Sequence, residues 1–306
     1  MDSLKPPKTF QEQLALLETR DMVVDDQEKA LRALQQLNYY RLTGYAYQYK
    51  RSKGERYKAG TTFEHILQLY SFDQELRRVL YKYLEIIEIY ARTQIAYHFA
   101  HLYGGDGHYD GNNFEVENYH HEFLATLSDQ MEKNKDSAFV AHHNQKYGGS
   151  MPVWVAVEVL SFSALSKFFS NIKKEGKDRI ANQMGFDAAY LTNWLHCFSV
   201  LRNTCAHYGR IYNNIMKPSI RLGPKTLRSY PNIANDSIFA YIIAMLRFLP
   251  CGKDEFANDL VDVVEKRGNS LDMGLLGFPK DWKELLFDKE LLNPITKKPA
   301  SNKMRT

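Results

Sequence analysis

The sequence predicts a mostly α-helical protein: a helical bundle with an N-terminal helical extension and room for one small β-hairpin. Three observations lead there. Apolar residues recur at three- and four-residue spacing through most segments between residues 62 and 249, the period of one helix face. Residues that start helices, Asp26, Thr62, Pro152 and Asp187, stand where those stripes begin. Strand-like alternation is confined to Tyr45, Tyr47 and Tyr49, just before the turn signal Ser52-Lys53-Gly54.

Residues 10–20 and 26–37 read as short amphipathic helices, the second capped by Asp25 or Asp26. The alternating tyrosines follow, with Tyr57 on the returning arm of the hairpin. Thr61 or Thr62 then caps a long helix that Gly104-Gly105 stops. Its stripe of Leu76, Val79, Leu80, Tyr83, Leu84, Ile87, Ala91 and Ile95 is core. Residues 104–118 are polar and Gly-rich, hence a loop, and helices resume at 119–133 and 136–147. Pro152 opens an apolar helix over 153–172, with Trp154, Val157, Leu160, Leu165, Phe168 and Phe169. Asp187 caps the next, which puts Leu191, Trp194, Leu195, Phe198 and Leu201 on one face and ends near Gly209. Pro218 and Pro224 mark a loop, and 238–249 and 255–266 are the last helices. The chain thus divides into an N-terminal extension, 1–60, a helical domain, 61–290, and a basic tail, 291–306, whose Pro294, Pro299 and lysines predict disorder.

A hydrophobic share of 44% and a charged share of 25% belong to a globular chain. The net charge of +4 permits a nucleic-acid partner without requiring one. No apolar stretch reaches the roughly 18 residues of a membrane span, and residues 1–10 carry no apolar signal core. Cys197, Cys205 and Cys251 have neither metal-ligand nor redox spacing, which fits reduced thiols in a cytoplasmic protein. The pairs His120-His121 and His142-His143 point apart on a helix, so neither a metal nor a cofactor is expected. Gly-rich phosphate loops and the serine-hydrolase elbow do not occur.

The run Leu201-Arg202-Asn203-Thr204-Cys205-Ala206-His207-Tyr208-Gly209-Arg210 carries the clearest chemistry. Arginine grips a phosphate through two parallel hydrogen bonds, and histidine moves a proton near neutrality. Those two groups suffice to cut RNA without a metal, because RNA brings its own nucleophile, the 2′-hydroxyl. The plainer reading is a helix-end histidine capping carbonyls beside a salt-bridged arginine. On an ideal helix Arg202 and His207 stand roughly 140° apart, with Arg202 inside the apolar stripe, where it needs a carboxylate, a carbonyl or an anionic ligand. Glu88 and Arg92 read either as an intrahelical ion pair or as a polar group that holds Arg202. Lys50, Arg51, Lys53, Arg56 and Lys58 lie among tyrosines, a pattern that suits either single-stranded RNA or a solvated hairpin tip. Arg41, Tyr208 and Arg210 join them as candidate RNA contacts.

Several segments together resemble one family. They are Leu37-Asn38-Tyr39-Tyr40-Arg41-Leu42-Thr43-Gly44-Tyr45, Phe72-Asp73-Gln74-Glu75-Leu76-Arg77, Ile87-Glu88-Ile89-Tyr90-Ala91-Arg92, and Trp154-Val155-Ala156-Val157-Glu158-Val159-Leu160-Ser161-Phe162. The 201–210 run, followed by Tyr212-Asn213, completes the set. In order and spacing, over about residues 5–250, they resemble the Abi-like abortive-infection, or phage-resistance, proteins of the AbiD/AbiF type, in the HEPN superfamily. The resemblance implies a HEPN-like helical bundle and a metal-independent endoribonuclease that works as a homodimer. It implies Arg202, Asn203 and His207 as the catalytic residues, with RNA as substrate and a regulatory non-coding RNA as a further partner. Tyr208 stands where many relatives carry a second histidine. A non-catalytic HEPN module that binds RNA or protein is the alternative.

Overall fold

The computed structural model describes residues 6–266 and 271–293. The chain begins with α1 (Phe10–Thr19), α2 (Gln27–Gln36) and α3 (Tyr39–Ala46). Their starts follow the side chains that offer an oxygen to the free first-turn amides. Thr9 and Glu12 form a reciprocal capping box, and Asp26 accepts from the Lys29 amide. The 41-residue α4 (Phe63–Tyr103) is capped by Thr62 and stopped at Gly104. There follow α5 (Glu117–Lys133), α6 (Ala138–Tyr147), α7 (Val153–Val159), α8 (Phe162–Asn171), α9 (Lys174–Gln183) and α10 (Ala188–Ala206). The last four are α11 (Pro224–Ser229), α12 (Ile238–Phe248), α13 (Lys253–Glu265) and α14 (Trp282–Leu286).

The apolar stripe of α4 is buried as its spacing predicts, apart from the partly buried Val79, and α10, with Leu191, Leu195, Phe198 and Leu201 fully buried, packs against α4. Each such side chain contributes roughly 1.5–3 kcal/mol by leaving water. Every residue of α12 is buried, which makes it the central helix. One hydrophobic cluster runs from Leu14 to Leu291, so the N-terminal helices share the core with the rest.

Several expectations need correction. No hairpin forms: Tyr45 lies in α3, Tyr47–Tyr49 is a single 3-10 turn, and Lys50 and Tyr57 meet in one isolated bridge. The alternation belonged to a helix end whose tyrosines face different neighbours. The expected 153–172 helix breaks at Leu160. In an unbroken helix the Ser161 amide would bond to the Val157 carbonyl; Arg92 takes that carbonyl instead, and the Ser161 hydroxyl caps α8. Sequence periodicity missed α9 because its only buried residues are Gly176, Ile180 and Ala181. Gly176 is required there, since a Cβ would overlap the Tyr103 hydroxyl. Pro224 opens α11 rather than lying in a loop. Most of the expected tail, from residue 294, lies outside the described residues, but Leu291 is buried and its carbonyl accepts from Arg247.

His108, in the connection between α4 and α5, is fully buried, and burial pushes its imidazole down to about 4. The unfolded chain, with a histidine near 6.5, binds that proton more readily. This contribution to stability is therefore complete above about pH 6.5 and lost as pH falls toward 4. It amounts to roughly 3 kcal/mol, at about 1.4 kcal/mol per pKa unit. Denaturant unfolding at pH 7 and pH 4.5 should show a smaller acid loss for His108→Phe than for the wild type. Parallel losses would remove His108 as a source of acid sensitivity.

Candidate functional site

Helix α10 ends where its last amides find partners. The His207 amide donates to the Asn203 carbonyl, Tyr208 turns left-handed at φ 59°, and the Gly209 amide donates to Thr204. Gly209 cannot carry a side chain, because a Cβ would lie 2.7 Å from the Thr204 methyl and 3.2 Å from its carbonyl oxygen. The chain that leaves this turn is held by a buried carboxylate. Asp73 accepts the Ile211 amide at 3.1 Å, the Tyr212 amide at 2.8 Å and the Tyr45 hydroxyl at 2.5 Å, and pairs with Arg77 at 2.5 Å. Burial pushes the Asp73 carboxyl up, and these four partners pull it back. Arg77 also donates to the Gly209 carbonyl at 3.1 Å.

The motif residues do not converge on one cleft: Arg202 faces one side of α10, and Asn203 and His207 another. Arg202 turns toward α4, its Nε 3.3 Å from Glu88 and its guanidinium 5.7 Å from the centre of the Tyr81 ring. Glu88 pairs with Arg92 at 2.5 Å as well, so both roles read for it from spacing are filled at once. Arg202 is one-third exposed and lines a cleft of about 260 Å³ with Tyr81, Glu85, Glu88, Ile89 and Arg92. Asn203 turns toward α8: its amide donates to the Ser163 hydroxyl at 3.3 Å, and its carbonyl accepts from Arg202 at 3.4 Å. His207 is exposed at the helix end and does not line the Arg202 cleft. Its backbone, not its ring, makes the capping bond. Cys205, between them, is buried, and burial pushes its thiol up to about 12, so it stays protonated at neutral pH and packs as a small apolar group.

The expected RNA contacts separate into two groups. Arg41 donates to the Tyr208 carbonyl at 2.7 Å and Arg210 to the Gly44 carbonyl, so both tie the N-terminal helices to the motif turn. Arg51 and Arg56 both pair with Asp21, at 3.0 and 3.1 Å, and Lys58 donates to the Gln48 carbonyl. Much of that loop's charge is therefore used internally, leaving Lys50 beside the Tyr47 ring and Lys53 at the exposed turn. A groove of about 720 Å³ opens beside it, and its walls include Lys50, Arg210, Tyr40 and Tyr47. The two tyrosines are 81% and 70% exposed. Sequence reasoning missed Tyr40 as a site residue and missed the Asp73–Arg77 pair altogether. The available signal was an acid and a base at i, i+4 inside an apolar stripe, where isolated charges do not survive.

Asp73→Ala should lower stability by roughly 3–5 kcal/mol, the usual cost of stranding one partner of a buried pair. Denaturant unfolding measures it, and a loss under about 1 kcal/mol would mean that the exit turn is held by other contacts.

The family model described as Abi-like protein matches residues 32–213, more than half of the chain. No curated protein and no solved structure matches it. The matched stretch starts within α2, spans α4 and α10, and reaches the Tyr212 amide on Asp73, so it contains the motif residues and the carboxylates Asp73 and Glu88. The chain belongs to the Abi-like protein family, a membership that suggests a role in abortive-infection defence against phage.

Proposed function

We propose that this protein is a metal-independent endoribonuclease of an abortive-infection antiphage system. The observation that carries the reading is an exposed imidazole at a rigidly held helix end, on the same helix as an arginine oriented by a carboxylate. His207 takes the proton from the RNA 2′-hydroxyl or gives one to the leaving 5′-oxygen. The 2′-oxygen forms a bond to phosphorus as the bond to the 5′-oxygen breaks. Arg202 stabilises the extra negative charge of the pentacoordinate phosphorus, and Asn203 orients a phosphate oxygen or the imidazole. The products are a 2′,3′-cyclic phosphate, or its opened form, and a 5′-hydroxyl. Because the nucleophile comes from the substrate, the reaction has no need of a metal-activated water.

Within one copy Arg202 and His207 look to different faces, so a second copy is needed to complete the site. The cleft of Arg202 is rimmed by Tyr81 and Ile89, 37% and 57% exposed, an apolar margin suited to a symmetric contact. Single-stranded RNA fits the groove of about 720 Å³, where Tyr40 and Tyr47 offer faces for base stacking and Lys50 and Arg210 offer charge. The engagement of Arg202 by Glu88 favours one other reading, a non-catalytic RNA-binding module. In that case variants of Arg202 and His207 keep phage protection, and variants of the tyrosine groove lose it.

His207→Ala should slow RNA cleavage by about 10²–10⁴-fold without moving the melting temperature. Arg202→Lys should fail too, since lysine keeps the charge and loses the planar fork. Cleavage that persists in folded His207→Ala would place the chemistry elsewhere. Activity should survive EDTA and vanish on RNA carrying 2′-O-methyl groups, and cutting of fully methylated RNA would contradict the mechanism. Light scattering at micromolar concentration should give a dimer, whereas a fully active monomer would remove the composite site.

A further inference from the structure

Helix α10 lies along α8. Ser163 touches Asn203 at the motif end, while Lys167 and Ser170 share a cleft with Asn193 and His196 at the other, so the two helices run antiparallel. That cleft holds about 680 Å³. Its charged lining is Lys167, Lys174, Lys177 and Arg221 against Asp178 and Asp187, and Asp187 is committed to capping α10. Four cations thus stand against two carboxylates, which leaves the lining net positive. Alanine is the largest apolar side chain in the lining, so the cleft has no pocket walled by large hydrophobic groups.

His196, Asn203 and His207 fall in one row. Steps of seven and four residues at about 100° each leave them within roughly 40° of one another. At about 1.5 Å per residue, His196 lies roughly 16 Å from His207 along α10. At about 3.4 Å per nucleotide of stacked strand, or more when extended, roughly three to five nucleotides cover that length.

From this we infer that the α8–α10 cleft is a phosphate-binding track for the substrate, holding the backbone of single-stranded RNA a few nucleotides from the bond presented to His207. The inference rests on the ribonuclease reading. It assigns the track to Lys167, Lys174 and Arg221, which belong neither to the motif nor to the tyrosine groove.

The test uses the full chain carrying Lys167→Gln, Lys174→Gln and Arg221→Gln together, with thermal melting as the folding control. Two probes are used: a fluorescent single-stranded RNA of about twelve nucleotides, long enough to cover the track, and a dinucleotide too short to reach it. Binding of the longer RNA is measured in the His207→Ala background, so that it is not cut. The expected result is at least about tenfold weaker binding at low salt and a log–log salt dependence shallower by about two, from three lost phosphate contacts at about 0.7 each. Dinucleotide cleavage stays at the wild-type rate. An unchanged affinity and salt slope overturns the track while leaving the ribonuclease reading intact. Loss of dinucleotide cleavage in the folded triple variant also overturns it, by making these cations part of the chemistry. A wild-type protein that neither binds nor cuts RNA defeats the ribonuclease reading first and the track with it.

Discussion

The buried carboxylate of Asp73 is the constraint on which the rest of the site depends. A carboxylate removed from water is costly unless its oxygens are fully used. Those of Asp73 take the Tyr45 hydroxyl, the Ile211 and Tyr212 amides and the Arg77 guanidinium. The partners lie 28 to 139 residues away, apart from Arg77 one turn along the same helix. One side chain therefore joins α3, α4 and the segment leaving α10. An apolar pair of equal volume would bury as much surface but would leave two amides without acceptors. Those amides belong to the segment that sets where α10 stops, and so where the His207 ring stands.

A second carboxylate does comparable work for Arg202. Glu88 sits between two guanidiniums, so the triad carries a net positive charge. Arginine has five N–H donors in a planar fork. Glu88 meets Nε and Asn203 takes one terminal N–H, which leaves the outer edge of the fork uncommitted. An arginine so held loses little further freedom on meeting a phosphate, whereas a lysine ammonium would be a point charge on a mobile stem.

How much of this could be read from the sequence depends on the range of the interaction. Period and capping are local, so α2, α4 and α10 were legible from Asp26, Thr62 and Asp187 and the stripes behind them. The need of Arg202 for a carboxylate also followed from its place in a stripe. What failed was decided at a distance. The break at Leu160 follows from Arg92 claiming the Val157 carbonyl, 65 residues away. Tyr45 was read as a strand residue because its real partner, Asp73, gives no periodic signal. Arg51 and Arg56 looked like free cations because their pairing with Asp21 depends on how two loops meet.

The placement of arginines around the end of α10 then makes electrostatic sense. A helix C-terminus carries partial negative charge, which by itself repels a polyanion. Three arginines gather there. Arg77 covers the Gly209 carbonyl, Arg41 covers the Tyr208 carbonyl, and Arg210, anchored on Gly44, lies over the Tyr45 ring at 6.0 Å. Each cation near a helix C-terminus is worth roughly 0.3–1 kcal/mol to the fold. The same charges offset the carbonyls beside His207. Bonds that close the helix thus also offset the negative end of its dipole, as the proposed phosphate contact would require, and they leave the imidazole ring unburdened by the capping its backbone already performs.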